Sequence, residues 1–188
     1  MDKARLLERF LRYIACESES GNEQQFCEMI EADLNKVGFA VYRDKVGNRC
    51  NSNGWNIFAT MPGEGEPLLF SAHLDTVSPG AGIRPVVKDG VIYSDGSTIL
   101  GADDKSGVAA ILEAAESLVE RNARRRPVEV LFTVCEEVGL KGSQYADYSN
   151  IKSKEAVVLD SSTLRGIINR APANTHLYIT VHGKSAHA

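Results

Sequence analysis

Cysteine is sparse in this sequence and dispersed. Cys16, Cys27, Cys50 and Cys135 form no C-x-x-C pair, which excludes a zinc knuckle and argues against a disulfide framework; they read as reduced thiols. No apolar run approaches the roughly 20 residues needed to span a bilayer. The opening stretch, MDKARLLERF, puts charges where a signal peptide needs its apolar segment. A cytoplasmic location without a membrane partner is therefore the expectation. Neither sign of charge dominates: 21 Lys and Arg against 25 Asp and Glu give a net charge of −4. That balance leaves no basic footprint for a nucleic-acid partner. Neither G-x-x-x-x-G-K-[ST] nor a strand-linked G-x-G-x-x-G occurs, so a nucleotide-binding reading has no motif behind it. What remains is ordinary globular material, 43% hydrophobic and 24% charged over 188 residues. That length suffices for one good core, or for one domain and part of a second.

Helical and strand patterns alternate along the first half. Within residues 3–15, Leu7, Phe10, Leu11 and Ile14 share one helical stripe. Ser20-Gly-Asn-Glu23 has capping-box spacing, with Ser20 as the expected N-cap and Glu23 reaching back. Phe26, Met29, Ile30, Leu34 and Val37 then line a second helix that Gly38 ends. Strand-like runs follow at 39–43, 55–60 and 67–72, and a Gly/Asp/Pro-rich stretch at 78–107 holds one short candidate at 91–94. In the next helix Val108, Ile111, Leu112, Ala115 and Leu118 form the inner face, and Glu113, Glu116 and Glu120 the outer one. Arg124–Arg126 follow as a solvated cluster complementing the helix dipole. The nearly continuous apolar run at 128–135 reads as a strand buried on both faces, and 156–159 as another. The implied class is α/β, a mostly parallel sheet flanked by helices. After Asp160 the pattern changes to two alternating strands, GIINR and THLYITVHG. Residues 1–165 are expected to form the N-terminal part of one domain. Residues 166–188 are expected to begin a second, α+β domain that is cut short.

The chemistry-bearing residues gather at the ends of the expected strands, the edge of an open α/β sheet where ligands bind. His73-Leu-Asp75 follows the strand at 67–72, and Asp103-Asp104-Lys105 opens the long helix. Glu136-Glu137 follows the strand at 128–135, and Asp160 follows 156–159. Each signal alone is weak: a His-x-Asp is usually a surface turn, acids at a helix start usually cap it, and paired glutamates are usually solvated. Jointly, four strand-to-loop junctions present carboxylates or an imidazole on one edge. Adjacent glutamates there repel unless a cation is close. Oxygen and nitrogen donors without cysteine suit Zn²⁺, Mn²⁺ or Co²⁺. Five carboxylates, those of Asp75, Asp103, Glu136, Glu137 and Asp160, exceed the needs of one zinc, and a carboxylate bridging two metals uses the surplus.

SAHLDTVSPG, ILGADDKSG, EVLFTVCEEVGLKGS and VVLDSS resemble, in order, the signature blocks of the M20 family of co-catalytic zinc peptidases, and most closely its peptidase T-like branch of tripeptide aminopeptidases. The resemblance covers nearly the whole chain. It implies that His73 and Asp160 ligate one zinc, that Asp103 bridges both zincs and that Glu137 ligates the second. It makes Asp75 the acid supporting His73 and Glu136 the general base, and it implies a cis peptide at Asp103-Asp104. His187, in GKSAHA, resembles the lid-domain histidine that reaches a partner's active site in dimeric members, so a homodimer through the lid is implied for a full-length form. The family's remaining zinc-ligating histidine lies farther along its chains. Neither His176 nor His182, both in the lid-like stretch, fits it.

The expected function is metal-dependent hydrolysis of an amide bond in a small peptide, by a water activated between two zincs, with Co or Mn as possible substitutes. Carboxypeptidases and N-acyl amino acid deacylases share these ligands and stand as alternatives, as does a non-catalytic truncated product or binding module. On this reading the 188 residues by themselves hold at most one zinc tightly and hydrolyse little.

Overall fold

The structure is a computed structural model that describes residues 1–170, 175, 177 and 179–184. Two helices lead, α1 (Lys3–Ala15) and α2 (Gln24–Val37). Then come β1 (Ala40–Arg43), a one-turn α3 (Gly47–Cys50), β2 (Ile57–Met61), β3 (Leu68–His73) and the hairpin of β4 (Pro85–Lys88) and β5 (Val91–Ser94). The long α4 (Ala102–Glu120), β6 (Val128–Thr133), a short α5 (Lys141–Gln144) and β7 (Ala156–Val158) complete the order. The main sheet runs β1-β2-β6-β3-β7. β3 is parallel to β6 and to β7, whereas β2 is antiparallel to β1 and to β6. The expected helix-flanked α/β architecture holds, with the sheet parallel in the half that carries the site and antiparallel in the other half.

Burial follows from strand period and helix amphipathicity. All six residues of β6 are buried. Val128, Val130 and Phe132 join the larger core, with α1, α2 and α4 packed on that face. Leu131 points the other way, onto Phe58 and Leu69 under the 141–151 segment. Glu129 shares that second face, and its carboxylate accepts from the amides of Lys152 (3.1 Å) and Ser153 (2.9 Å), which ties the covering loop down. Gly38 ends α2 in the left-handed region at φ 102°, as its position predicts. All four cysteines are free thiols.

Three expectations are corrected. Ser20 does not cap α2: Glu23 is the N-cap, and neither side chain makes a capping bond. Glu113 does not face solvent. It is fully buried between α4 and α1, where Arg5 grips it from two nitrogens at 2.7 and 3.0 Å, and Arg9, the Asp2 amide and Ser117 add to the contact. Third, among the described residues of 166–184 no strand forms. The described side chains there are exposed, and extended chain without a neighbouring strand has no ladder to join. The remainder of THLYITVHG, with His176, and also His187 lie outside the described residues. So does the test of a domain beginning at 166.

The Arg5 hydrogen bonds outweigh desolvation and hold Glu113 down at about 2. A depressed carboxylate contributes stability that is complete above its unfolded value and is lost as pH falls through the folded value. Glu113→Gln is therefore expected to cost on the order of 3 kcal/mol at neutral pH, since it removes the buried charge that Arg5 and Arg9 share and leaves them only Glu116 and Glu120 as ion-pair partners. The gap to wild type should close as pH drops from about 4.5 towards 2; urea titrations across that range measure it, and a constant gap contradicts the assignment.

Candidate metal centre

β3, β6 and β7 are parallel neighbours, so their C-terminal ends share one sheet edge. His73 ends β3, opposite Thr133 at the end of β6. Glu136 and Glu137 lie three and four residues past that point, and Asp160 two past Val158. Asp103 sits in the first turn of α4, where the backbone at Asp103 and Asp104 departs from helical values and their peptide bond is cis. The five side chains converge. His73, Glu136 and Asp160 offer ligand atoms within 4.8 Å of one another, and so do His73, Asp103 and Glu137. The two groups share the imidazole. Asp103, Asp104 and Asp160 also line a cleft of about 550 Å³.

The local backbone explains how the glutamates are aimed. Past Thr133 the chain leaves the sheet, and its amides lose their strand partners. Side chains take over in sequence. Val134 N–H donates to Asn56 Oδ1 (3.1 Å), Cys135 N–H to Glu23 Oε1 (3.2 Å), Glu136 N–H to Asp75 Oδ1 (2.9 Å) and Glu137 N–H to Asp75 Oδ2 (3.1 Å). Asn56, Glu23 and Asp75 have no exposed surface. Cys135 adopts φ 54° to make the turn. Gly142 must be glycine for this packing, because a Cβ there would sit 2.0 Å from the Val134 carbonyl oxygen.

Asp75 lies beside His73 and also holds the two glutamates. Its carboxylate serves the two glutamate amides and the Ser20 hydroxyl (2.6 Å). The closer partner of His73 Nδ1 is the Asp75 backbone carbonyl at 2.8 Å, with Oδ1 at 3.5 Å. That carbonyl fixes the ring so that Nε2 faces Asp103 Oδ1 at 3.1 Å.

Electrostatics follow from packing so many acids together. Burial raises Glu136; His73 pulls it back, while Asp160, Glu137 and Asp75 add to the rise. Glu137 is raised in the same way, with Asp103 the largest of the repelling charges. Burial carries Asp104 up to about 7, with Asp160 and Asp103 adding to it against His73. Its Oδ1 accepts the Gly107 amide at 3.2 Å, and its buried Oδ2 has no partner among the described residues. For His73 burial acts downward, but hydrogen bonds and charge from Asp75, Asp103 and Glu136 lift it to about 10. An imidazole facing clustered, mutually repelling carboxylates is a donor set that fits a divalent cation.

Asn56, Glu23 and Ser20 are the contributors to which the sequence pattern assigned no part in the site. Ser20 and Glu23 carried a signal, their capping-box spacing, that pointed to a local role. His187 lies outside the described residues.

The family model described as Peptidase family M28 matches residues 56–169, a span that runs from the amide-holding Asn56 past Asp160. The chain belongs to that family. It is similar to the uncharacterised protein YqjE of Bacillus subtilis, with 37% identity over 191 residues covering 100% of this chain and 52% of that protein. Among solved structures it is similar to a tripeptidase from Staphylococcus aureus (34% identity, TM-score 0.84, covering 87% of this chain and 44% of that one). It is likewise similar to the aminopeptidase PepT from Bacillus cereus (36%, TM-score 0.83, covering 86% and 44%). The chain thus spans about half the length of these relatives.

Asp75→Asn leaves one of the two glutamate amides facing an NH₂ group. A buried donor without an acceptor costs roughly 1–3 kcal/mol, and groups that support metal ligands typically govern affinity by about 10–100-fold. Asp75→Asn is expected to lose stability in urea and to weaken zinc binding by at least about tenfold. Unchanged zinc affinity by calorimetric titration would remove Asp75 from the site.

Proposed function

We propose that the chain carries the metal-binding core of a co-catalytic zinc peptidase of the peptidase T-like, M20 type, which hydrolyses di- or tripeptides from a free N-terminus. The matched family model is that of M28, and the signature blocks resemble M20; a metal-dependent peptidase is common to both. The observation that carries the proposal is the convergence of His73 with Asp103, Glu136, Glu137 and Asp160 at one sheet edge, in two adjoining donor groups. In this reading His73 and Asp160 would hold one metal and Glu137 a second, with Asp103 as a further ligand. Similarity to a tripeptidase and an aminopeptidase over the same fold supports a peptide substrate.

Two bound zinc ions supply Lewis-acid polarisation of the scissile carbonyl and lower the pKa of the attacking water. Glu136 is the general base. It is half-buried and hydrogen-bonded through its own amide to Asp75, which keeps its carboxylate among the proposed metal ligands, where a general base must stand to reach the attacking water. It takes the proton from the attacking water and returns it to the leaving amine. Asp75 keeps the Glu136 and Glu137 backbones in place while this happens. In the complete protein, His187 is proposed to contact substrate, and the lid to mediate a homodimer.

Hydrolysis assays on the protein that carries this chain, with unblocked tripeptides, N-acetylated tripeptides and N-acetyl amino acids, separate the possibilities. Cleavage of unblocked tripeptides alone is the expected result. Preference for N-acetyl amino acids makes it a deacylase, and no hydrolysis with metal bound makes it a binding module; either outcome overturns the proposal. Glu136→Gln is expected to keep its metal while kcat falls by about 10² or more, whereas Glu137→Ala is expected to lose metal as well. Elemental analysis after dialysis, paired with steady-state kinetics, distinguishes the two roles.

A further inference from the structure

Glu23 is a carboxylate with no exposed surface, and among the described residues no cation lies within ion-pair distance of it. A buried charge of this kind is costly unless its oxygens are fully hydrogen-bonded. Its partners are specific. One oxygen accepts the Ser52 hydroxyl. The other accepts the Cys135 amide at 3.2 Å and the Cys135 thiol at 3.4 Å. Ser52 is held in turn, its Oγ accepting the Gly54 amide at 2.8 Å. Gly54 packs so closely that a Cβ would lie 3.0 Å from the Glu23 Cβ.

Two of these bonds fall on Cys135, the left-handed residue that turns the chain from β6 into Glu136-Glu137, and the Ser52 bond holds the same carboxylate by its other oxygen. The flanking amides are held by Asn56 on one side and Asp75 on the other, so Glu23 fills the middle of a continuous series. Ser20, three residues earlier, donates to Asp75 from the same segment. The Ser20 and Thr76 backbones are also joined, by an amide-to-carbonyl bond of 3.1 Å. The segment before α2 is thus laced to both the His73-Asp75 loop and the Glu136-Glu137 loop.

We propose that Glu23 is a positioning residue for the metal centre: its buried carboxylate fixes the Cys135 turn and thereby sets where the Glu136 and Glu137 carboxylates stand relative to His73. This rests on the reading of those glutamates as part of a metal site. A carboxylate suits the task because it only accepts, and Cys135 presents two donors to one oxygen. Leucine fills similar volume but accepts nothing, whereas glutamine keeps one acceptor oxygen for Cys135 and an NH₂ that Ser52 Oγ can accept.

Cobalt(II) titration of the 188-residue chain, followed by visible absorbance, tests it without requiring turnover. Glu23→Leu is expected to weaken cobalt binding tenfold or more and to change the absorption bands, because the ligand arrangement changes. Glu23→Gln should restore affinity to within about threefold. Leu34→Ala, a core truncation in the last turn of α2, should lose stability yet keep the wild-type affinity and spectrum. If Glu23→Leu does not fold, Ser52→Ala is decisive: weakening of threefold or more supports the proposal, and unchanged binding overturns it. Wild-type binding matched by Glu23→Leu overturns the positioning role and leaves the metal site standing. A wild-type chain that binds no cobalt overturns both.

Discussion

The site depends on how four consecutive amides are satisfied where β6 leaves the sheet. A cleft at a sheet edge requires strands to end, and each ended strand leaves backbone donors without partners, at a cost comparable to a lost hydrogen bond. Here three buried side chains from three distant segments, Asn56, Glu23 and Asp75, accept the amides of Val134 to Glu137 in turn. Satisfying the backbone and aiming the glutamates are one event. The same groups that prevent a loss of stability determine the positions of the two carboxylates, so the turn cannot relax without exposing donors.

The second consequence is electrostatic. Asp75 is held in its charged form against the effect of burial by His73, Ser20 and the Glu136 amide. Glu136, Glu137 and Asp104 are pushed the other way by burial and by one another. His73 is the one imidazole among these groups and faces Asp103, while Lys105 is turned away. Lys105 is fully buried, with its Nζ on the Cys16 carbonyl at 2.5 Å and 4.5 Å from the Phe26 ring centroid, and burial lowers it to about 8. The protein thus collects negative charge at this edge and directs its nearby lysine elsewhere, an arrangement that a divalent cation completes.

The sequence was legible wherever the information was local. Stripes and apolar runs placed α1, α2, α4, β3 and β6 nearly where they are, and strand ends marked His73, Glu136, Glu137 and Asp160 as neighbours on one edge. Asp89-Gly90, both at positive φ (52° and 77°), is a hairpin dipeptide of the I′ kind; it held the missing signal for β4, the partner of the one strand read in that stretch. What escaped was long-range pairing. Glu113 sits where helical periodicity assigns solvent, and it is buried because Arg5 reaches it from 108 residues away. Glu23 has the spacing of a local cap, yet its partners lie 29 and 112 residues along the chain. A carboxylate whose only acceptable burial requires donors from other elements gives no periodic signature. The strand reading of GIINR at 166–170 differs for the converse reason: alternation was present, but these residues have no neighbouring strand to pair with among the described residues.

Anomalous diffraction at the zinc edge, from crystals of the chain equilibrated with zinc, tests the central claim most directly: that this carboxylate cluster is built around metal. The expected result is a peak at roughly 2.0–2.2 Å from His73 Nε2 and from carboxylate oxygens of the Asp103, Glu137 and Asp160 set, the distances typical of zinc with nitrogen and oxygen ligands. An empty cluster in crystals whose anomalous signal lies elsewhere, on the cysteine thiols or at the surface, would contradict it.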